Sequence, residues 1–361
     1  MPSEVHPSPA PGPRPTRRAR LAVACLAAVW GVLCLWQMER ATKGRPADFD
    51  VVWNGARVML EGRNPYAAIC HGCEIEWNDH LYYPGTALVA VAPLTVVPLP
   101  IARMIWVGGA AALLCFGLTR DGWHRLPLFL STPFFNAAGG GQWSVLLTAA
   151  VLFPTLSLLA AMKPTLGTAI FLASPTQRAQ LIAIGGGVAV LLASLAVRPT
   201  WPMEWLAVIG DTPHYSAPVS HLAVGGPLVL LALLRWRRPE ARLLTGLACV
   251  PQSTLVYEGL YLLLVPRTLR GVTLMAIASF GASWLQDRIA ERATDTVSLQ
   301  WTAGNVLVLF FYLPALVLVL RRPNEGEVPR WLDVLVTRAT GWLGRRRAAG
   351  RAPRGRAYDD A

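Results

Sequence analysis

The chain has 361 residues, of which 53% are hydrophobic and only 15% charged, and its Lys+Arg 33 against Asp+Glu 21 give a formal net charge of +12. With a mean hydropathy of +0.40, it is more apolar than a soluble protein of this length needs to be, so lipid is the expected solvent for most of it. Much of the positive excess sits at the ends, as Arg14, Arg17, Arg18 and Arg20 and as Arg345, Arg346, Arg347, Arg351, Arg354 and Arg356. Basic ends beside apolar segments face anionic headgroups, so membrane lipids and not nucleic acid are the expected partners.

In chain order, residues 1–20 read as a basic cytoplasmic tail. Leu21 to Met38 is the first apolar run, and the arginines before it hold the N-terminus in the cytoplasm by the positive-inside rule. A cleaved signal peptide is the competing reading. The run, however, contains Trp30 and Trp36 and ends on Gln37-Met38-Glu39-Arg40 without a small-residue cleavage site, so a retained anchor is expected.

The polar segment 39–80 follows as the first outer loop. Within it Val52, Ala56, Met59 and Leu60 recur at helical spacing and predict an amphipathic helix lying on the membrane, begun by Pro46 and Asp48 and stopped by Gly62. Asp48 has two readings: an N-cap, or a carboxylate at the outer surface able to take a proton from a sugar hydroxyl. Cys70 and Cys73, in Cys70-His71-Gly72-Cys73, suit a disulfide in an oxidising compartment. Zinc completed by His71, Glu74 or His80 fits no standard spacing, and Glu74 after the second cysteine disfavours haem attachment. Cys25, Cys34, Cys115 and Cys249 lie in apolar runs as small core residues.

Apolar runs continue at Tyr83 to Leu99, Ile101 to Leu118, Leu126 to Ala138, Trp143 to Met162, Ala179 to Val197, Leu222 to Leu234, Leu243 to Val265, Gly271 to Leu285 and Thr302 to Leu320. Several are too short to span alone. The fold class expected is all-α: a polytopic transmembrane helix bundle over residues 21–320 with about eight to twelve membrane segments. The linkers Arg235-Trp236-Arg237-Arg238 and Arg267 to Arg270 both read as cytoplasmic. Leu243 to Val265 must then go out and return as two half-length helices around Pro251-Gln252-Ser253, a break of the kind that lines ligand cavities. The second outer loop, 198–221, carries Trp201, Glu204, Trp205, Asp211, His214 and Tyr215, which suit interfacial anchors or substrate contacts. No internal repeat is evident. Residues 321–361 read as a basic, disordered cytoplasmic tail.

The stretch Ala47-Asp48-Phe49-Asp50-Val51-Val52-Trp53-Asn54-Gly55, followed by Gly62-Arg63-Asn64-Pro65-Tyr66, resembles the first outer loop of glycosyltransferase family 87. Similar landmarks follow in order: Tyr83-Pro84 opening the next run, which closes near Leu94 to Pro100, then Gly141-Gln142-Trp143, then Lys163-Pro164. Together they cover most of the apolar region. The resemblance implies a GT-C type enzyme of the cell membrane that moves a sugar, mannose first, from a polyprenyl-phosphate donor to a lipid or glycan acceptor at the outer face.

It further implies a base in the first outer loop, at the position matched by Asp48. Asp50 is the alternative, because it stands where an uncharged residue is expected; Val52 stands where an aromatic is common. An inverting displacement from a lipid monophosphate calls for no metal or cofactor, since Lys, Arg or His can steady the leaving phosphate. Lys163, Arg198, His80 and His214 are the candidates. Lys163 leads because a lysine between apolar stretches is expensive unless it snorkels to the interface. Asn64, Tyr66, Tyr83 and Gln142 are the candidate sugar or acceptor contacts. Gly139, Gly140 and Gly141 before Gln142 suit close helix packing rather than a nucleotide loop, since no Lys-Ser or Lys-Thr follows. The chain departs from the family in length and in lacking a basic linker between Gln142 and Lys163, where Phe153-Pro154-Thr155 stands instead. A transporter or lipid flippase, and a degenerate non-catalytic relative, are the competing readings.

Overall fold

The computed structural model describes residues 14–77, 79–210, 215–293 and 295–338. Helix dominates it, and the strands among these residues are β1 (Ile69–Cys70) and β2 (Ile75–Glu76), parallel, with Ile69 opposite Ile75. Four helical stretches are long and apolar enough to cross a membrane: Arg17–Ala41, Leu99–Leu118, Gln177–Val197 and Val297–Leu320. Much of the outer surface is apolar, with Leu26, Leu181, Leu192, Phe280 and Trp284 all exposed.

Helix α1 (Arg17–Ala41) starts on Thr16, whose hydroxyl accepts from the Ala19 amide. Five further helices precede α7: α2 (Asp48–Leu60), α3 (Pro65–Ala68), α4 (Gly85–Val91), α5 (Leu99–Leu118) and α6 (Thr132–Gly139). Helices α1 and α5 run antiparallel. Gly31 faces Val107 and Ala111, and Gly108 faces Ala28 and Val32, so small residues let the two backbones approach closely. At one end Arg20 donates to the Phe116 carbonyl; at the other Arg103 donates to Glu39 at 3.0 Å. The rise from Arg20 to Glu39 is about 28 Å at 1.5 Å per residue, close to a bilayer's hydrocarbon thickness. These two ends, the Arg20 end and the Glu39 end, orient the rest.

Helix α6 reaches the Glu39 end, where Gly139 packs on Met38. Helix α7 (Trp143–Leu152) then descends until Phe153-Pro154, where proline cannot continue the ladder. A 3-10 segment, Pro154–Met162, returns, and α8 (Pro164–Ala173) descends again. Trp143 to Met162, expected as one apolar run, is therefore two segments broken at Pro154. Tyr83 to Leu99 is likewise corrected to two short pieces, α4 and the 3-10 turn Ala92–Val96. Next come α9 (Gln177–Val197), α10 (Trp201–Ile209) and a 3-10 segment, Gly226–Arg235.

Helix α11 (Pro239–Cys249) and the 3-10 segment Val256–Leu264 are the two half-length helices that the basic linkers require. Arg238 and Arg267, one from each linker, both bond Oε1 of Glu240 at 3.1 Å, which puts the linkers side by side. The break between the halves is satisfied by Gln252, whose Nε2 donates to the Leu247 carbonyl at 2.6 Å and to the Tyr312 hydroxyl at 2.9 Å. Helix α12 (Leu269–Ala290) and the stretch α13 (Thr296–Leu307), α14 (Leu313–Leu320) complete the body. The last two are joined by a π-turn, Val308–Tyr312, just ahead of Pro314, whose ring would clash with an ordinary helical carbonyl four residues back.

Arg242 ties the Arg20 end together. Its guanidinium, 5% exposed, donates to the carbonyls of Leu172 at 2.7 Å, Trp236 at 3.0 Å and Arg237 at 2.9 Å, and also reaches Ala173, Ser174 and Glu327. Arg242→Met strands several of these acceptors, each worth about 1–3 kcal/mol when buried unmet. The expected result is a loss of at least about 3 kcal/mol, read as a lower thermal midpoint of the purified protein.

Two expectations need correction here. Helix α2 does not lie on a surface: Phe49, Val52, Trp53, Ala56, Val58 and Met59 are all buried, and Leu60, assigned to its apolar face, is exposed. Its apolar residues outnumber one face because the helix is packed on several sides. Nor is the segment after 320 without structure as far as it is described. Residues 330–338 are helical, Trp331 donates to Gln180 at 2.6 Å, and Asp333 pairs with Arg237 at 2.8 Å. The basic tail beyond residue 338, and the first thirteen residues, lie outside the described residues.

Candidate active site

The start of α2 is pressed against the turn between α6 and α7. The Asp48 amide donates to the Gly140 carbonyl at 3.0 Å, and the Trp106 indole donates to the Gly141 carbonyl at 3.1 Å. Gly141 has φ +62°, and a Cβ there would come within 3.0 Å of Phe49 Cβ, so this position takes glycine for both shape and space. The turn brings the Gln142 side chain to Asp48, where its polar end favours the charged carboxylate.

Tyr83 arrives from the other side. Its hydroxyl donates to Asp48 Oδ2 at 3.0 Å. The backbone that carries it is fixed twice: the Tyr66 hydroxyl donates to the Tyr83 carbonyl at 3.2 Å, and the Trp205 indole donates to the Tyr82 carbonyl at 2.9 Å. Asn64, in turn, caps α3 by accepting from the Tyr66 amide at 2.9 Å. Asn64 and Tyr66 thus support Tyr83 from behind.

Lys163 stands at the head of α8, where the 3-10 segment before it is held by Thr86, whose hydroxyl donates to the Ala161 carbonyl at 2.9 Å. Lys163 Nζ donates to Glu258 Oε1 at 2.9 Å and lies 5.8 Å from the Tyr257 ring centroid. The Ser144 hydroxyl lies 3.5 Å from the other Glu258 oxygen. Glu258 is fully buried, on the second half of the broken helix. The Lys163 charge also acts on Asp48. Burial pushes the Asp48 carboxyl above the ordinary aspartate range; Lys163, then the Tyr83 and Gln142 hydrogen bonds, pull the other way without cancelling it.

A cavity of about 210 Å³ opens beside this carboxylate, lined among others by Asp48, Arg45, Glu39, Arg103 and Gly140. Lys163 is not in its wall. Two side-chain atoms at the start of α7 are buried without a hydrogen-bond partner, Oε1 of Gln142 and Nε1 of Trp143, whose ring lies 6.4 Å from that of Tyr83 between centroids.

The structure brings Asp48, Tyr83, Gln142 and Lys163 together from four separate segments and commits Asp50 and Arg198 to other partners. Asp50 is held on both oxygens: Arg103 donates to Oδ1 at 2.5 Å and to Oδ2 at 2.6 Å, and the Ala47 amide donates to Oδ2 at 2.6 Å. The capping role considered for Asp48 therefore belongs to Asp50, with Ala47 at the N-cap position. Arg198 is committed to Glu204, at 2.7 and 2.5 Å, and to the Gly62 carbonyl at 2.7 Å. This ion pair holds the Glu204 carboxyl below the usual range.

His80 rests edge-on to Tyr82, with Nδ1 buried and unpaired. His214 lies outside the described residues. Cys70 and Cys73 are joined to each other, which takes both sulfurs out of any zinc site. A bridge three residues apart closes so short a loop that chain entropy assigns it about 2 kcal/mol. Replacing both with serine is expected to lower the thermal midpoint by no more than that allows.

Glu258, Ser144, Tyr257 and Arg103 are absent from the sequence reading. For Glu258 a local signal exists, a single carboxylate inside the apolar run Val256–Leu264. Arg103 carries the same signal, a single charge inside the apolar run Ile101 to Leu118, but its partner Asp50 lies 53 positions away and is not marked by it. The assembled groups can orient a carboxylate as proton acceptor and set a cation near it. No family model matches this chain, and no curated protein or solved structure is found similar to it.

Proposed function

We propose that this chain is a polytopic membrane glycosyltransferase that uses a polyprenyl-phosphate sugar donor, mannose first among the sugars. The observation that carries the reading is the meeting of Asp48, Tyr83, Gln142 and Lys163, residues drawn from landmarks up to 115 positions apart in the resemblance to glycosyltransferase family 87. They meet at the Glu39 end of the long helices, the end taken as the outer face with α1 inserted arginines-inward.

In this reading the Asp48 carboxylate accepts the proton of an acceptor hydroxyl. The freed oxygen attacks the anomeric carbon from the face opposite the phosphate, the carbon–oxygen bond to phosphate breaks, and polyprenyl phosphate leaves with the electron pair. Tyr83 and Gln142 aim the carboxylate. Lys163 supplies positive charge where the leaving phosphate gains negative charge. The unpaired Oε1 of Gln142 and Nε1 of Trp143 suit a sugar hydroxyl, which can donate to one and accept from the other. Leaving such atoms unmet costs about 1–3 kcal/mol each, which a bound sugar relieves.

The test is transfer of radiolabelled mannose from polyprenyl-phosphate-mannose to endogenous lipid acceptors in membranes with and without this protein. Protein-dependent transfer supports the reading. Its absence, with donor turnover also absent for other prenyl-linked sugars, sinks it. One observation favours a transporter instead: the buried Lys163–Glu258 pair lies against a broken helix, a setting also used for ion-coupled transport. Flux of a lipid-linked sugar across proteoliposomes without sugar transfer would select that alternative.

A further inference from the structure

The Arg20 end of the molecule carries an arginine cluster that the proposed reaction does not use. Glu240 Oε1 accepts from three guanidiniums at once: Arg238 at 3.1 Å, Arg267 at 3.1 Å and Arg322 at 2.7 Å. Arg125 faces the same group, with Asp121 as the other carboxylate near it. Arg125 has no salt bridge of its own among the described residues, and its Nε is buried without a partner. Four arginines against two carboxylates leave an excess of two positive charges. Nearby, on α1, the Nε of Arg20 is also buried and unpartnered, while its other nitrogen donates to the Phe116 carbonyl. This charge is held in place by the fold rather than trailing on a flexible tail.

Near the cluster lies a cavity of about 660 Å³, open on the outside of the helical body. Its wall is apolar apart from His124 and includes Leu26, Trp30, Trp123, Leu130 and Leu269. Leu26, Leu130 and Leu269 are 68%, 66% and 56% exposed. Arg125 sits in the chain between two of the lining residues, His124 and Leu126, and Leu269 lies within the Arg267 to Arg270 linker. An apolar groove of this size, with two arginines of an under-neutralised cluster adjoining its lining residues in the chain, has the two-part chemistry of a lipid phosphate with an acyl chain. It is not the donor's site: the cluster is about 28 Å from the Asp48 end along α1, too far for one headgroup to serve both.

We infer that the groove between α1, the end of α5 and the Arg125 loop binds an anionic membrane phospholipid, its phosphate on Arg125 and Arg267 and one acyl chain against Trp30 and Trp123. The inference rests on the membrane reading of the chain and is independent of glycosyl transfer.

The full-length protein in phosphatidylcholine nanodiscs, titrated with phosphatidylglycerol, is expected to show a rising thermal midpoint that saturates at a low mole fraction. Arg125→Gln/Arg267→Gln removes two charges and is expected to raise the half-saturating fraction roughly 30-fold. Arg267→Gln alone keeps Arg238 and Arg322 on Glu240 and therefore the fold, and is expected to shift it about fivefold. Phosphatidylglycerol with brominated acyl chains is expected to quench wild-type fluorescence more than Trp30→Phe/Trp123→Phe. Equal midpoints in phosphatidylcholine and phosphatidylglycerol would overturn the inference. So would full stabilisation by inorganic phosphate alone, or quenching indifferent to the two tryptophans.

Discussion

Asp48→Asn is expected to lower mannosyl transfer by about 10²–10⁴-fold at unchanged expression and thermal midpoint. The amide keeps the shape of the carboxylate and its bond with the Tyr83 hydroxyl but has no lone pair basic enough to take a proton. Because burial raises the Asp48 carboxyl above the ordinary aspartate value, the ionised, active form is lost as the pH falls through that raised value. The acid limb of the rate is therefore expected above about pH 3.9, with a plateau at higher pH. Tyr83→Phe removes a hydrogen bond that favours the ionised form, so it should move the acid limb to still higher pH while retaining activity on the plateau. A merely structural Tyr83 would lower the amount of folded enzyme without moving the limb. Asp50→Asn behaves differently, since it breaks the buried pair with Arg103 and costs stability first. If Asp48→Asn transfers sugar at the wild-type rate, the base lies elsewhere and the proposed chemistry falls.

The parts of this fold legible in the sequence are those set by a strong local cost. A cluster of unpaired charges is costly within the bilayer, so the arginines at 235–238 and 267–270 put both linkers on one side and fold Leu243–Val265 back on itself, and Arg238 and Arg267 do share Glu240. Long uninterrupted runs gave α1, α5 and α9 for the same reason. What sequence periodicity does not carry is which side of a helix meets protein and which meets lipid. Both are apolar, so α2 reads as a surface helix although its neighbours bury it. The Trp143–Met162 break was signalled by Pro154, but an apolar proline-containing stretch also reads as one kinked span.

The site divides in the same way. Asp48, Gln142 and Lys163 were legible through the order of short motifs, whereas their relations were not. Asp50 competes with Asp48 on sequence, and only the approach of Arg103 from α5 separates them. Tyr83 was read as a sugar contact, and its hydroxyl is spent on Asp48. Arg198, read as a phosphate ligand, is neutralised by Glu204 six positions away, across the turn that leads from α9 into α10.

The Lys163–Glu258 pair decides whether Lys163 works or only balances charge. Glu258 is wholly buried while Lys163 is 20% exposed, so Lys163→Met strands a carboxylate with nowhere to turn, and a loss of about 3–5 kcal/mol is expected. Glu258→Leu alone is milder, because the lysine stem can swing its ammonium toward the exposed side. In Lys163→Met/Glu258→Leu both charges go and apolar volume takes their place, so stability should return to within about 1 kcal/mol of wild type or exceed it. Activity need not follow. If Lys163 meets the leaving phosphate, the double variant is folded and transfers sugar about 10²–10³-fold more slowly, and Glu258→Gln, which leaves the lysine charged, keeps most of the rate. If the pair is only structural, transfer recovers together with the thermal midpoint. Measuring both quantities on the same four proteins separates a cation that acts on substrate from one that neutralises a buried glutamate, and this distinction follows from the unequal burial of the two partners.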